Sequence, residues 1–160
     1  MIRRVRPQDA QALAEIYNYY IEKTTVTFET AALDATEMQR RIEAISAEFP
    51  YIVHESAGSI DGYCYVHRLG ERAAYEGSVE LSIYLERGSA GKGIGSALMR
   101  AMLEECRSRG YRAVFCLISD GNAASIALCG KFGFEKVGCL KSAGLKFGKP
   151  LDLDYYELLL

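Results

Sequence analysis

Residues 78–111 read SVELSIYLERGSAGKGIGSALMRAMLEECRSRGY, and the order of patterns within them decides the fold. From Ser78 to Leu85, apolar Val79, Leu81, Ile83 and Leu85 alternate with Glu80, Ser82 and Tyr84, which is the period of a strand with one core face and one polar face. Glycines at 88, 91, 93 and 95 follow. Ile94, Leu98, Ala101 and Met102 then form one stripe of a helix that stops at Gly110. A strand running through glycines into a helix offers successive free backbone N–H groups at a positive dipole end, which is an anion site. A flexible connection whose glycines only relieve steric strain accounts equally well for a lone G-x-G. The three alternating glycines Gly91, Gly93 and Gly95 point instead to a phosphate-bearing ligand.

The type of phosphate site is narrowed by spacing. A Walker loop needs four residues between its first glycine and the Gly-Lys pair, and a Ser or Thr after the lysine; here only two residues separate Gly88 from Gly91, and Gly93 follows Lys92. A dinucleotide fingerprint is closer, because Gly91-x-Gly93-x-x-Ser96 opens a helix and Asp120 ends the next strand. That fold needs further βαβ units, whereas only about 40 residues remain after Asp120 and half of them read as a strand pair.

Working outward, Ile2 to Pro7 makes a short strand, and Asp9 caps a helix with Ala12, Leu13, Ile16, Tyr17 and Tyr20 at helical spacing. After the β-rich stretch Thr24 to Glu29, Asp34 caps a second helix through about Ala47, and Pro50 ends it. YIVHES and IDGYCYVHRL read as a hairpin turning at Ala57, Gly58 and Ser59. Beyond Gly110, AVFCLIS is a strand and GNAASIALCGKFGF a short helix. The remaining chain is strand-rich with a turn around Gly148 to Pro150. The order βααβββαβαββ describes an α+β layer with helices around one sheet.

At 160 residues and 49% hydrophobic, the chain reads as one domain spanning residues 1–160. A net charge of -2 gives no basic field for nucleic acid. No apolar run approaches the ~18 residues that cross a bilayer, and MIRRVRPQDA lacks the apolar stretch of a signal peptide, so the expectation is a soluble, cytoplasmic protein with no membrane partner. The five cysteines form no CxxC pair, and His54 and His67 stand apart from them, which argues against a metal site or a disulfide framework. Most of these thiols read as small core hydrophobes.

These residues carry a family likeness. The stretches AEIYNYYIEKTTVTFET, AAYEGSVELSIYL, GKGIGSALM, NAASIAL with FGFEKVG behind it, and GLKFGKPLDLDYYEL cover nearly the whole chain. In them the sequence resembles the GCN5-related N-acetyltransferases (GNAT), and within those the phosphinothricin and methionine sulfoximine N-acetyltransferase branch. The resemblance implies the GNAT fold, a mixed and mostly antiparallel sheet flanked by helices. It implies acetyl-coenzyme A, with its pyrophosphate on the amides of Gly91, Lys92, Gly93, Ile94, Gly95 and Ser96 and its pantetheine arm along Ile83, Tyr84 and Leu85. It also implies Asn122 near that arm, and a homodimer. One departure stands out: the family motif opens with Gln or Arg, and the matching position here is Ala90, with Arg87 or Lys92 nearby to supply a polar contact.

Acetyl transfer to an amine needs an uncharged amine, a polarised carbonyl and a stabilised leaving thiolate. Glu80 lies on the polar face of its strand, and the V-E-x-S context resembles that of the family's general base. By pattern alone it is equally a solvated side chain. Tyr84 on the same face is packing or a cleft hydroxyl. Cys129 occupies the position where many acetyltransferases carry a tyrosine, and this branch often a histidine, to protonate the thiolate; the alternative is a buried filler. Arg72 and Lys146 are candidate cations for an amino acid's carboxylate, with Phe28 and Tyr75 as walls of its side-chain pocket. Both histidines fall in the early strand pair and have no counterpart in the family pattern. The expected activity is acetyl-CoA-dependent N-acetylation of the α-amino group of a small amino acid or a toxic analogue, hence detoxification, by direct attack and without an acyl-enzyme. Another small amine as acceptor, or a non-catalytic acyl-CoA sensor, would give the same glycine turn.

Overall fold

The computed structural model describes residues 1–160. Its elements follow the order read from the sequence: β1 (Ile2–Arg4), α1 (Ala10–Lys23), α2 (Ala35–Ser46), β2 (Tyr51–Ser56), β3 (Ser59–Arg68), β4 (Ser78–Leu85), α3 (Ile94–Ser108), β5 (Ala113–Ser119), α4 (Ala123–Lys131), β6 (Glu135–Lys146) and β7 (Lys149–Leu159). All seven strands join one sheet in the order β1-β2-β3-β4-β5-β7-β6. Every neighbouring pair is antiparallel except β4 and β5.

Two apolar layers cover this sheet. On one face α3 packs Leu98, Met99 and Met102 onto Val79, Leu81, Val114 and Cys116. On the other, α1 and α2 bring Leu13, Ile21 and Ile42 against Val53 and Tyr63. The alternation along residues 78–85 is thus divided between two layers, since Val79 and Leu81 enter the α3 core while Tyr84 packs under α1. No helix is long and apolar enough to cross a membrane.

Local chemistry shifts three boundaries. β1 stops at Arg4, because Pro7 starts a 3-10 turn over Pro7–Asp9. Asp9 does not cap α1 through its side chain; it accepts from the Arg6 amide at 2.7 Å and from two Arg3 nitrogens at 2.8 and 2.9 Å, tying β1 to that turn. The last hairpin turns at Phe147 and Gly148, both at positive φ, and Pro150 lies within β7 opposite Leu145. The β-rich segment Thr24 to Glu29 forms no strand. Its groups are held by side chains instead: Thr27 Oγ1 pairs with the Tyr17 hydroxyl at 2.7 Å, and Lys146 donates to the Thr27 carbonyl at 2.8 Å.

Candidate active site

The single parallel joint creates the site. β4 and β5 pair only at Ser78↔Ala113, Val79↔Val114 and Glu80↔Phe115, after which they part while β5 continues along β7 to Ser119. From Leu81 onward one edge of β4 has no strand beside it. The gap is a cleft of about 460 Å³ whose walls include consecutive residues of both strands, Leu81 to Tyr84 and Cys116 to Ile118. Consecutive strand residues point to opposite faces, so a cavity touching all of them is a slot through the sheet rather than a pocket on one side. Asn122, Leu128 and Cys129 of the α4 segment close one side.

A second groove of about 860 Å³ shares Ile83, Asn122, Ser125 and Leu128 with the slot and carries it outward past Arg87, Gly88 and Ala90. Gly88, Gly91 and Gly93 hold φ of +87°, +79° and +82°, values that leave a side chain strained, and Gly93 in the left-handed region is the N-cap of α3. The first bond of the helix runs from the Ala97 amide to the Gly93 carbonyl. None of the amides from Ala90 to Ser96 donates a hydrogen bond within the protein. Of the named residues here, Ile94 is buried in the α3 core, so it offers only its amide, and Gly91, Lys92 and Gly93 are exposed. The Ser96 hydroxyl accepts from Lys131 Nζ at 3.0 Å. This second cation at the helix start comes from α4, and sequence reading missed it because 35 residues separate the two.

One residue before the β4 stretch that lines the slot, Glu80 is the last β4 residue paired with β5, and its side chain is 22% exposed. Burial pushes its carboxyl above the ordinary range, and His67 offsets part of that rise. Register puts His67 opposite Glu80, with Nε2 3.7 Å from Oε1. Sequence pattern could not reveal this pairing, because the residues lie on different strands and the register between them depends on an irregular nine-residue connection, residues 69–77 with the 3-10 turn Ala73–Tyr75 inside it.

Cys129 is 2% exposed and packs with Cys116 of β5 in the same core layer. A hydrogen bond from the Cys116 thiol holds the Cys129 thiol below the ordinary cysteine range and leaves the enclosed Cys116 well above it. Asn122 caps α4 by accepting from the Ser125 amide at 3.2 Å. Tyr84 takes the packing alternative: its ring meets those of Tyr17, Tyr20 and Tyr63 at 4.8, 5.3 and 5.4 Å. Its neighbour Tyr20 donates to the Leu85 carbonyl at 2.8 Å, which fixes the end of β4.

The four candidate acceptor contacts are not brought together. Lys146 is 4% exposed, and its ammonium donates to the Thr27 carbonyl at 2.8 Å and the Tyr20 carbonyl at 3.4 Å. It braces the loop after α1 and is not free to meet a carboxylate. The Phe28 ring lies over Gly144, where an added Cβ would meet it at 2.7 Å, so this ring seals the loop onto β6 rather than lining the slot. Arg72 borders a separate groove with Glu48, Phe49 and Arg68. Tyr75 is 40% exposed and packs on Gly70. The fixed carbonyls, the glycine contact and the position of the 69–77 connection explain why each stands outside the slot of its own chain.

Comparison with known proteins agrees with this geometry. The model of the acetyltransferase (GNAT) domain matches residues 2–153. Phosphinothricin N-acetyltransferase of Alcaligenes faecalis is 35% identical over 153 residues, covering 94% of this chain and 78% of the relative. The L-methionine sulfoximine/L-methionine sulfone acetyltransferase of Pseudomonas paraeruginosa is 32% identical over 159 residues, or 98% of this chain and 92% of the relative. Among solved structures, a GNAT phosphinothricin acetyltransferase from Sinorhizobium meliloti in complex with acetyl-CoA superposes with a TM-score of 0.96 at 33% identity, covering 100% of this chain and 88% of the other. With its parted parallel strands, its glycine turn and a family match along almost its full length, this chain belongs to the GNAT family of N-acetyltransferases.

Proposed function

We propose that this acetyltransferase moves the acetyl group of acetyl-CoA to the α-amino group of a small amino acid or an amino-acid analogue of the phosphinothricin or methionine sulfoximine kind. The observation that carries the reading is the slot that opens at Leu81, one residue past Glu80, and passes through shared lining residues into the groove along Gly88 and Ala90. Residues along the outer groove fit the coenzyme. The amides of Ala90 to Ser96 suit a pyrophosphate at a helix N-terminus. They donate through backbone, so Ala90 in place of Gln or Arg removes little, and Lys92, Arg87 and Lys131 surround the turn with positive charge. The open edge of β4 from Leu81 to Leu85 offers main-chain partners to an extended amide-bearing arm, and Asn122 stands beside it.

The acceptor enters from the Glu80 face. An amino acid arrives mainly as an ammonium, which is not nucleophilic. A carboxylate raised by partial burial is a better base than one in water, and Glu80 takes the proton, freeing the nitrogen lone pair for the thioester carbonyl. When the C–S bond breaks, a thiolate leaves. Cys129, a thiol made more acidic by its Cys116 contact and lining the same slot, gives its proton to that thiolate and regains one from the nitrogen, which sheds its second proton as the amide forms. Transfer is direct, since Cys129 has no base within the slot to make it a nucleophile. Assembly as a homodimer belongs to the same proposal. It is supported by edge strand β6, which exposes Val137, Leu140 and Leu145, and light scattering of the purified protein tests it.

The test is free-thiol release from acetyl-CoA against a panel of amino acids, phosphinothricin, methionine sulfoximine, a polyamine and an aminoglycoside. Turnover with the amino acids or analogues is expected, and Glu80→Gln lowers kcat by roughly 10²-fold with acetyl-CoA binding intact. Turnover with the polyamine or aminoglycoside alone would discard the acceptor class. Silence against every amine, with acetyl-CoA bound, would identify a sensor.

A further inference from the structure

The strand ladder joins His67 to the carboxylate proposed as base. His67 and Glu80 are directly opposite in the β3–β4 register, so both side chains leave the same face of the sheet. The imidazole Nδ1 lies 3.0 Å from the Arg68 carbonyl. A carbonyl only accepts, so this contact keeps a proton on Nδ1 and turns Nε2 toward Glu80 Oε1 at 3.7 Å. Of the two side chains His67 is the more open, at 36% against 22%. The more enclosed carboxylate therefore has an acceptor of protons on its open side.

The other groups around the pair leave this role to His67. On β3 the Tyr65 ring sits 5.9 Å from the imidazole, and its phenol is held protonated by burial. On β4 the next side chain of this face is Ser82, and on β5 it is Phe115. Glu157 of β7 stands opposite Phe115, one strand further out. From the segment packed over the sheet, Glu29 is already bound by Arg41 at 2.6 Å and by the Tyr17 hydroxyl at 3.0 Å. Cys116 approaches from the core side with its thiol firmly protonated. His67 is the one group of this set that turns a ring nitrogen toward Glu80.

We propose that His67 is a positioning residue for Glu80 and the exit for its proton. This inference rests on the reading of Glu80 as general base. In each turnover an N–H bond of the acceptor ammonium breaks and an O–H bond forms on Glu80. That O–H bond then breaks as Nε2 of His67 gains the proton, and the imidazolium releases it to water, so both groups return to their starting forms. The 3.7 Å separation exceeds a hydrogen bond, and a small side-chain rotation or one water closes it.

The experiment follows kcat and kcat/KM against pH, at saturating acetyl-CoA, for the parent, His67→Gln, His67→Lys and Glu80→Gln, with thermal unfolding to verify that each is folded. In His67→Gln, kcat falls about tenfold. The acidic limb of kcat/KM also moves to higher pH, because the cation that favours ionised Glu80 is gone. His67→Lys keeps a cation there and restores the limb, but an ammonium accepts no proton at neutral pH, so kcat stays low. KM for acetyl-CoA is unchanged in both. A pH-independent loss in His67→Gln would mean a structural role and overturn the proposal, as would a profile matching the parent's. A slow Glu80→Gln beside an unaffected His67→Gln removes His67 alone, whereas a fully active Glu80→Gln removes the base and the proton exit together.

Discussion

Two glycine-to-alanine changes, one at the start of α3 and one within α4, should alter stability in opposite directions. Gly93 has φ +82° and ψ -2°, and an added Cβ would meet no atom within 4 Å. The cost of alanine there is therefore conformational, with no contribution from crowding, and a left-handed L-residue costs about 1–2 kcal/mol. Gly130 lies in α4 outside the positive-φ set, also with nothing within 4 Å of its Cβ position. Alanine there removes a helix-interior glycine and gains about 0.5–1 kcal/mol. The two variants should thus differ by about 2 kcal/mol, which in a chain of this size separates their midpoints by about 4–8 °C. Relief of strain at Gly93 would also rotate the amides beside it, and losing one bond to a charged group costs about 1.5–3 kcal/mol, or more than tenfold in acetyl-CoA affinity. Thermal unfolding with and without acetyl-CoA measures both effects. If Gly93→Ala melts at or above the parent temperature and gains as much from acetyl-CoA, the left-handed cap does not organise the turn.

Three further outcomes follow from contacts near the slot. Asn122→Ala loses the cap of a nine-residue helix, costing about 1 kcal/mol by denaturant midpoint and raising KM for acetyl-CoA, while Asn122→Asp keeps the acceptor and most of the stability. Lys146→Met leaves the buried Thr27 carbonyl without its donor and costs about 1–3 kcal/mol; because burial lowers the lysine's pKa, the unfolded chain binds the proton more tightly, so parent stability rises with pH in the alkaline window up to 10.5, and the variant loses that rise. Glu80 works in the opposite sense: its folded pKa lies above 4.5, the folded state holds that proton more tightly, and stability falls as pH rises through this window, so Glu80→Gln should outlast the parent in urea at neutral pH and match it in acid.

The contrast between what patterning revealed and what it concealed has a physical origin. Alternation in residues 78–85, the glycine spacing and the cap at Asp34 are local signals, and each formed the expected element. Thr24 to Glu29, β-rich yet outside the strand order read from the sequence, forms no strand, because Tyr17 and Lys146 hold its polar groups instead. Lys146, Arg72 and Phe28 have the chemistry of substrate contacts, yet a residue's availability depends on neighbours far away in sequence. Lys146 meets Thr27 across 119 residues and Tyr20 across 126. His67 shows the converse. Nothing around it in sequence marks a functional site, and only the register of β3 on β4 connects it to Glu80.

The same distinction explains why the site lies where it does. An antiparallel sheet built from hairpins has each strand tied to the next by a short turn, so its neighbours run together along their length. β4 and β5 are joined instead through the glycine turn and the fifteen residues of α3, which return the chain parallel to its start. Nothing at the far end of β4 holds β5 to it, whereas β7 pairs with β5 along all seven of its residues and draws it away. The slot is therefore a consequence of the parallel crossover between β4 and β5. That crossover also begins with the helix N-terminus whose amides are free of internal partners, so the element that opens the sheet also carries the proposed pyrophosphate site. Lengthening the β4–β5 ladder by even two residue pairs would consume the edge from Leu81 onward and close the passage between Glu80 and the groove, however well the individual side chains were preserved.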